Sequence, residues 1–322
     1  AHGALASLES GGVPSGVLTP IEVLTTARDG ATLAERLGRV KGVHVAVSPP
    51  APAYRQGGTA LVDVLPVAES SSPAGRATIA AVHGAVRGDP AVIGVGGPGP
   101  SEVDFIHAVY GSFPLMLGLI ALLTFVLLSR AFRSVVLAAK AVLFNLVSVA
   151  AAFGTMVLVW QLGYGSHAIW NIPATGSITI WVPVMVFAFL FGLSMDYEVF
   201  IITRMREAYD ATGSTAAAVV GGIGRTGRLV TSAALILFLA FLSLASGPET
   251  DLKVMATGLG AGILLDALVV RCLLVPALVG VLGRWNWWLP AWAAKGLRVA
   301  PSPLAAGAEP PAPATVVEAV PV

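Results

Sequence analysis

The sequence predicts an α-helical membrane bundle preceded by a small α+β domain. Three observations carry this. Of the 322 residues, 56% are hydrophobic and 11% charged, whereas an ordinary soluble domain carries roughly a quarter charged residues; the mean hydropathy is +0.81. From Val109 onward the apolar residues gather into long runs, each close to the roughly 20 residues a helix needs to cross hydrocarbon. Ahead of them, short alternating and helical patterns take turns, as in a mixed domain.

The mixed segment comes first along the chain. Residues 1–16 read as a linker. Strands are expected at 17–24, 43–47, 59–67 and 91–95, with helices at 31–40 and 74–86. The order βαββαβ is that of a ferredoxin-like split βαβ fold over 17–100, with Pro49, Pro50, Pro52, Gly57 and Gly58 in the middle turn region. A short linking helix is expected over 101–112, capped by Ser101 with Asp104 three residues on.

The transmembrane domain, 109–290, follows with five spans near 109–129, 135–160, 178–203, 229–246 and 254–282. Lys and Arg in the connections set the expected orientation, because cytoplasmic loops are enriched in them. Arg130 and Arg133 lie between spans one and two, and Arg204, Arg206, Arg225 and Arg228 between three and four. Arg284, Lys295 and Arg298 follow span five, while 161–177 has no Lys or Arg and 247–253 only Lys253. The first hundred residues are thereby expected outside the cytoplasm and the carboxy terminus inside. No signal peptide or span precedes that external segment and residue 1 is not Met, so an upstream part of the same protein is expected to deliver it. Trp285, Trp287 and Trp288 suit an interfacial belt, and the Ala- and Pro-rich stretch 291–322 reads as a cytoplasmic tail without a fold.

Asp196 leads the candidate residues, because an ionisable group inside a span is costly and faces protein or a water-filled path. Two readings stand: an ion pair with Lys140, or a proton-carrying carboxylate assisted by the phenol of Tyr197. Gly192, one turn earlier, would let a neighbouring helix approach. Asp266 is mid-span, and Gly258, Gly262 and Asp266 recur every fourth residue on one face expected to pack against protein. For Asp266, polar glue and relay function are both open. Arg271, five residues on, falls on a different face of an α-helix and reads as a snorkelling anchor; Glu198 reads as solvated near the cytoplasmic boundary. Thr231 and Ser232 either extend a polar path or bond back to their own helix. Asn145 and Ser148 read as interhelical packing.

Several function classes are excluded. A net charge of +1 and the lack of basic runs argue against nucleic acid. The run Gly222-Ile-Gly-Arg-Thr-Gly227 has the G-x-G-x-x-G spacing but no strand before it, so it reads as a turn and hinge. No phosphate-binding G-x-x-x-x-G-K-[ST] loop occurs, the five His show no ligand spacing, and Cys272 is the only cysteine. A membrane-embedded hydrolase lacks a nucleophile and base.

The run Phe191-Gly-Leu-Ser-Met-Asp-Tyr-Glu-Val-Phe200 resembles the MMPL family of the resistance-nodulation-division (RND) superfamily. The resemblance continues through Arg225-Thr-Gly-Arg228, Leu264-Leu-Asp-Ala-Leu-Val-Val-Arg271 and Leu274-Val-Pro-Ala-Leu278 to Gly283-Arg-Trp-Asn-Trp-Trp-Leu-Pro290, and includes Ala131-Phe-Arg-Ser-Val-Val136 and Lys140-Ala-Val-Leu-Phe-Asn145. It implies a twelve-span fold of two repeats, of which this chain holds the last five helices and the second extracytoplasmic porter domain. It also implies that Asp196 and Tyr197 are half of a proton relay, the other half lying in the missing amino-terminal half of the same protein. The expected function is export of lipids or other hydrophobic compounds across the bacterial plasma membrane, driven by the proton gradient, with no cofactor, no metal and no enzymatic reaction. Membrane lipids, the hydrophobic cargo and a second copy of the chain are the expected partners. The alternative is a non-transporting receptor-like or scaffold protein of envelope synthesis.

Overall fold

A computed structural model describes residues 7–26 and 30–300. The chain divides into two units, Ala1–Pro114 and Leu115–Val322.

In the first unit, Ser15–Leu18 forms a 3-10 turn and β1 spans Ile21–Thr26. The strand expected from residue 17 thus starts later: Pro20 has no N–H for a ladder and marks its edge. There follow α1 (Gly30–Gly38), β2 (Val43–Val47), β3 (Arg55–Gln56), β4 (Thr59–Pro66), α2 (Pro73–Val86) and β5 (Val92–Gly96). The sheet order is β2-β4-β1-β5, with β3 also pairing with β4, and every pairing is antiparallel. Strict alternation along β1 and β4 turns Ile21, Val23, Val62 and Val64 inward against Leu33 and Leu37 of α1 and Ile79 and Val82 of α2. Ser72 caps α2, its Oγ accepting from the Gly75 N–H at 3.0 Å. Gly75 is held to glycine by crowding, since a Cβ there would lie 1.9 Å from the Glu69 carbonyl oxygen. The Arg36 guanidinium, then the Ala91 N–H, hold the Asp89 carboxyl below its ordinary range. That contribution is present at neutral pH and lost as the pH falls from the ordinary carboxylate range through the lowered value.

α3 is one continuous helix, Pro98–Phe132. It starts at Gly97, whose φ of 95° favours glycine, with Pro98 in the first turn. The linking helix expected over 101–112 is therefore not separate, and Ser101 is not its cap. A wide π-type turn at Ile106–Tyr110 joins the two stretches.

In the second unit, α4 spans Val135–Gln161, α6 Val182–Thr212, α7 Thr215–Leu244 and α8 Thr250–Trp287, with the short α5 (Ser166–Trp170) between α4 and α6. With α3, these make five helices long and apolar enough to cross a membrane. α6 and α7 outrun their apolar stretches, so Gly222–Gly227 lies within α7 and is not a turn. The reason is packing: Gly222 sits against Met205 of α6, where a Cβ would come within 2.4 Å of Met205 Cγ. Through Leu265–Leu274, α8 is wound as a π-helix, with i→i+5 hydrogen bonding.

The main core gathers Phe132, Leu137, Ile202, Met205, Val279 and Trp287. Trp287 is fully buried, stacked on Tyr209 at 4.0 Å between ring centres, and donates from Nε1 to Thr215 Oγ1 at 3.1 Å. It is a core residue and not part of an interfacial belt; Trp285 and Trp288 are exposed. The stretch expected to be an unfolded tail from residue 291 opens with α9, Ala291–Leu297, because Leu289, Ala293 and Ala294 bury against Val135. Residues 301–322 of that tail, and 1–6 of the linker, lie outside the described residues.

Candidate functional site

Three buried charged residues of the second unit, Glu198, Asp266 and Arg271, lie where α4, α6 and the π segment of α8 adjoin. Asp266 and Arg271 are 5% and 3% exposed. Arg271 Nε donates to Asp266 Oδ2 at 2.8 Å. Five residues separate them, which in an α-helix would put them on different faces. The π winding brings them onto one face, because its turn closes between residues i and i+5. Arg271 is thus a buried, paired residue and not the snorkelling anchor expected.

The neighbouring helices complete the pair. Ser148 of α4 donates from Oγ to Asp266 Oδ1 at 2.7 Å, so it is a partner of the buried carboxylate and more than packing. Arg271 Nη2 donates to the carbonyl oxygen and to Oγ of Ser194 on α6, the latter at 2.8 Å. Its guanidinium lies 5.9 Å from the centre of the Tyr197 ring, within cation–π range. A small cavity of about 10 Å³ lies beside these groups, with Ser148, Ser194, Tyr197 and Asp266 in its wall.

Glu198 is also buried, 4% exposed, with Oε1 unpaired among the described residues, contrary to the solvated position expected. The cause lies in helical phase: Phe191, Ser194, Glu198, Ile201 and Met205 form the inward stripe of α6. That spacing was available in the sequence, where Ser194 and Glu198 stand four apart. Asp196 falls on the other side and is exposed, and it makes no hydrogen bond or ion pair among the described residues. Gly192 shares that face with Phe189 and Phe200, and nothing among the described residues lies within 4 Å of where its Cβ would be. Tyr197 stands between, half-buried, with its ring toward Arg271.

The remaining candidates distribute as follows. Lys140 donates to Asn286 Oδ1 and not to Asp196. Asn286 in turn donates from Nδ2 to the carbonyls of Val279 and Gly283, both at 2.7 Å, and accepts at its own carbonyl from Ser134 Oγ at 2.5 Å. Asn145 donates to the Phe191 carbonyl at 3.2 Å. Thr231 and Ser232 bond back to the carbonyls of Gly227 and Arg228 in their own helix. Gly258 and Gly262 do lie at contacts: a Cβ at the first would sit 2.6 Å from Met156 Sδ, and at the second 2.5 Å from Leu190 Cδ1 and 3.0 Å from Ala152 Cβ.

The arrangement sets an exposed carboxylate, Asp196, next in sequence to Tyr197, whose ring faces an inner ion pair that Ser148 of α4 and Ser194 of α6 hydrogen-bond.

The sequence pattern of the MMPL family matches residues 55–306. "Heme uptake protein MmpL11" of Mycobacterium tuberculosis is 38% identical over 296 residues, which cover 87% of this chain and 30% of that protein. "Mycolic acid-containing lipids exporter MmpL11" of Mycolicibacterium smegmatis is 42% identical over 207 residues, covering 64% and 22%. "Trehalose monomycolate exporter MmpL3" of Mycobacterium tuberculosis is 39% identical over 199 residues, covering 62% and 21%. The chain thus spans less than a third of the length of each of these relatives.

Proposed function

Because the chain belongs to the MMPL family, within the resistance-nodulation-division superfamily, we propose that it forms the carboxy-terminal part of a proton-driven exporter of lipids or other hydrophobic compounds. On this reading the five apolar helices are the last five of twelve spans in the bacterial plasma membrane. The first unit is a ferredoxin-like extracytoplasmic porter domain, a reading supported by the βαββαβ order of its elements apart from the two-residue β3, and by the β2-β4-β1-β5 path of the sheet. The amino-terminal half of the same protein, membrane lipids and the cargo are its partners.

The observation that carries the proposal is Asp196, a carboxylate without a partner among the described residues, on a membrane-spanning helix beside Tyr197, whose ring lies against Arg271. Such a group is expensive in hydrocarbon unless it faces protein or water and does something there. A proton taken up at Asp196 neutralises the outer face of α6. Tyr197 lies on the path from there to the Asp266–Arg271 pair, so the change in charge is felt where α6 packs on α8. Each charge crossing the membrane potential releases about 2.3 kcal/mol per 100 mV, enough for one or two protons to reset a conformational equilibrium of a few kcal/mol. Gly192 leaves the same face open for a helix of the other half.

The test is export by the full-length protein at matched membrane abundance. Asp196→Asn keeps the shape but holds no exchangeable proton, and is expected to insert normally and fail to export; Tyr197→Phe is expected to impair export. Wild-type export by Asp196→Asn, still dependent on the proton gradient, would sink the relay. For cargo, two of the relatives above carry lipid exporters' names and one a haem uptake protein's. We take lipid as the cargo class, which lipid profiling of cells lacking the protein checks: an unchanged lipid profile with impaired growth on haem iron would redirect it.

A further inference from the structure

Glu198 belongs to the buried cluster, and the relay through Asp196 and Tyr197 does not use it. It faces inward on α6, 4% exposed, and its Oε1 is buried with no hydrogen-bond partner among the described residues. The charged groups near it are Arg271 and Asp266 on α8 and Lys140 on α4. α7, the other helix packed on α6, offers Arg225 and Arg228, both exposed. On α6 itself Asp196 lies on the opposite face, and Arg206, two turns on, is paired with Asp210 at 3.0 Å.

The nearby cations bond elsewhere. Arg271 is held through Nε and Nη2 by Asp266 and by both oxygens of Ser194, its buried Nη1 bonding neither Glu198 nor any other described residue, and Lys140 is held by Asn286. A carboxylate ion buried with a bare oxygen and no cation bonded to it is costly, whereas the same group as a carboxylic acid carries no net charge to desolvate. Lys140 has a flexible four-carbon stem and three donors, so it can reach a new acceptor without moving its helix.

We propose that Glu198 is a second proton-carrying carboxylate of the bundle, neutral in the conformation described here, with Lys140 as the cation that leaves Asn286 when the proton departs. On release the O–H bond of the Glu198 acid breaks, the proton passes to water, and the remaining carboxylate takes the Lys140 ammonium as counterion. Asn286 then loses its Lys140 bond and the joint between α4 and the Gly283–Trp287 turn loosens. Protonation reverses each step. The proposal deepens the proton-driven reading and rests on it for its place in a transport cycle, but the protonation of Glu198 is measurable without transport.

The experiment uses purified full-length protein in lipid nanodiscs and infrared difference spectroscopy across a pH titration. A protonated-carboxyl band that persists at neutral pH is expected in the wild type and in Asp196→Asn, and is expected to vanish in Glu198→Gln. An unchanged band in Glu198→Gln overturns the proposal. Should that variant fold poorly, Glu198→Asp serves instead: a shifted band supports the assignment and an unshifted one overturns it. In export assays, Glu198→Gln is expected to lose about tenfold, a change of about 1.4 kcal/mol, and to flatten the pH profile. Wild-type export with an unaltered profile overturns the role in the cycle. If wild-type export ignores the proton gradient, the proton-driven reading fails while the infrared result still decides Glu198.

Discussion

At the scale of single residues, the Asp266–Arg271 pair is where a small change should be felt most. Removing one partner of a buried ion pair leaves the other charge uncompensated, at a cost of about 3–5 kcal/mol, while replacing both by apolar residues is often close to neutral. Arg271→Leu is therefore expected to lower the thermal stability of the detergent-solubilised protein sharply, and Asp266→Leu combined with Arg271→Leu to recover much of it. Equal instability of the single and double variants, measured as monodisperse protein left after heating, would contradict this. Asp266 was legible in the sequence, because a carboxylate amid apolar residues stands out at any winding. Arg271 was not: with a fixed α-helical period it falls on another face, and nothing in a single sequence marks Leu265–Leu274 as wound more widely. Glu198 differs in its cause: its nearness to the end of the apolar run points to solvent, while its phase, four residues from Ser194, points inward, and the phase prevails.

At the scale of elements, glycines record how closely the helices approach. Gly262→Ala is expected to destabilise by about 1–3 kcal/mol, because the new methyl is wedged between Leu190 of α6 and Ala152 of α4. Gly222→Ala should behave similarly, since besides the Met205 side chain it meets Met205 backbone atoms at 3.2 and 3.3 Å, which cannot swing aside. Gly258→Ala should cost less, as its obstacle is the flexible Met156 thioether. Thermal unfolding of the three variants side by side tests the ranking, and Gly258→Ala emerging as the worst would refute it. The short β3, α5 and α9 hold too few residues to show a period, but existence and order of the longer strands and helices are readable from periodicity, as with β4, whose alternation from Thr59 to Pro66 is unbroken. Boundaries were less so: α7 begins fourteen residues before the expected 229 because the polar, glycine-rich Gly222–Gly227 is bought into the helix by its contact with α6, a tertiary effect that local composition does not carry.

At the scale of the whole molecule, five apolar helices and an alternating distribution of Lys and Arg predict one topology. In a full-length Cys272→Ser background, cysteines placed at Ser71 and at Tyr164, which is 71% exposed, are expected to react with a membrane-impermeant thiol reagent in intact cells. One placed at the exposed Ala211 is expected to react only after the cells are opened. Labelling at Ala211 from outside would reverse the orientation and remove the porter reading with it. This level was the most legible in the sequence, because span length and loop charge are properties of long segments and survive errors in any single residue.

The five-residue turn Gly283–Trp287 has a consequence for the order in which the protein is made. It satisfies Ser134 and Lys140, respectively 152 and 146 residues earlier, and Thr215, 72 residues earlier. Synthesis proceeds from the amino terminus, so α4 and α7 enter the membrane with those groups still waiting for a segment the ribosome has not reached. Polar side chains waiting in hydrocarbon are costly, and the bundle closes only when the last turn arrives. A nascent chain interrupted before residue 283 would carry all the charges of the candidate site and lack the latch that fixes α4.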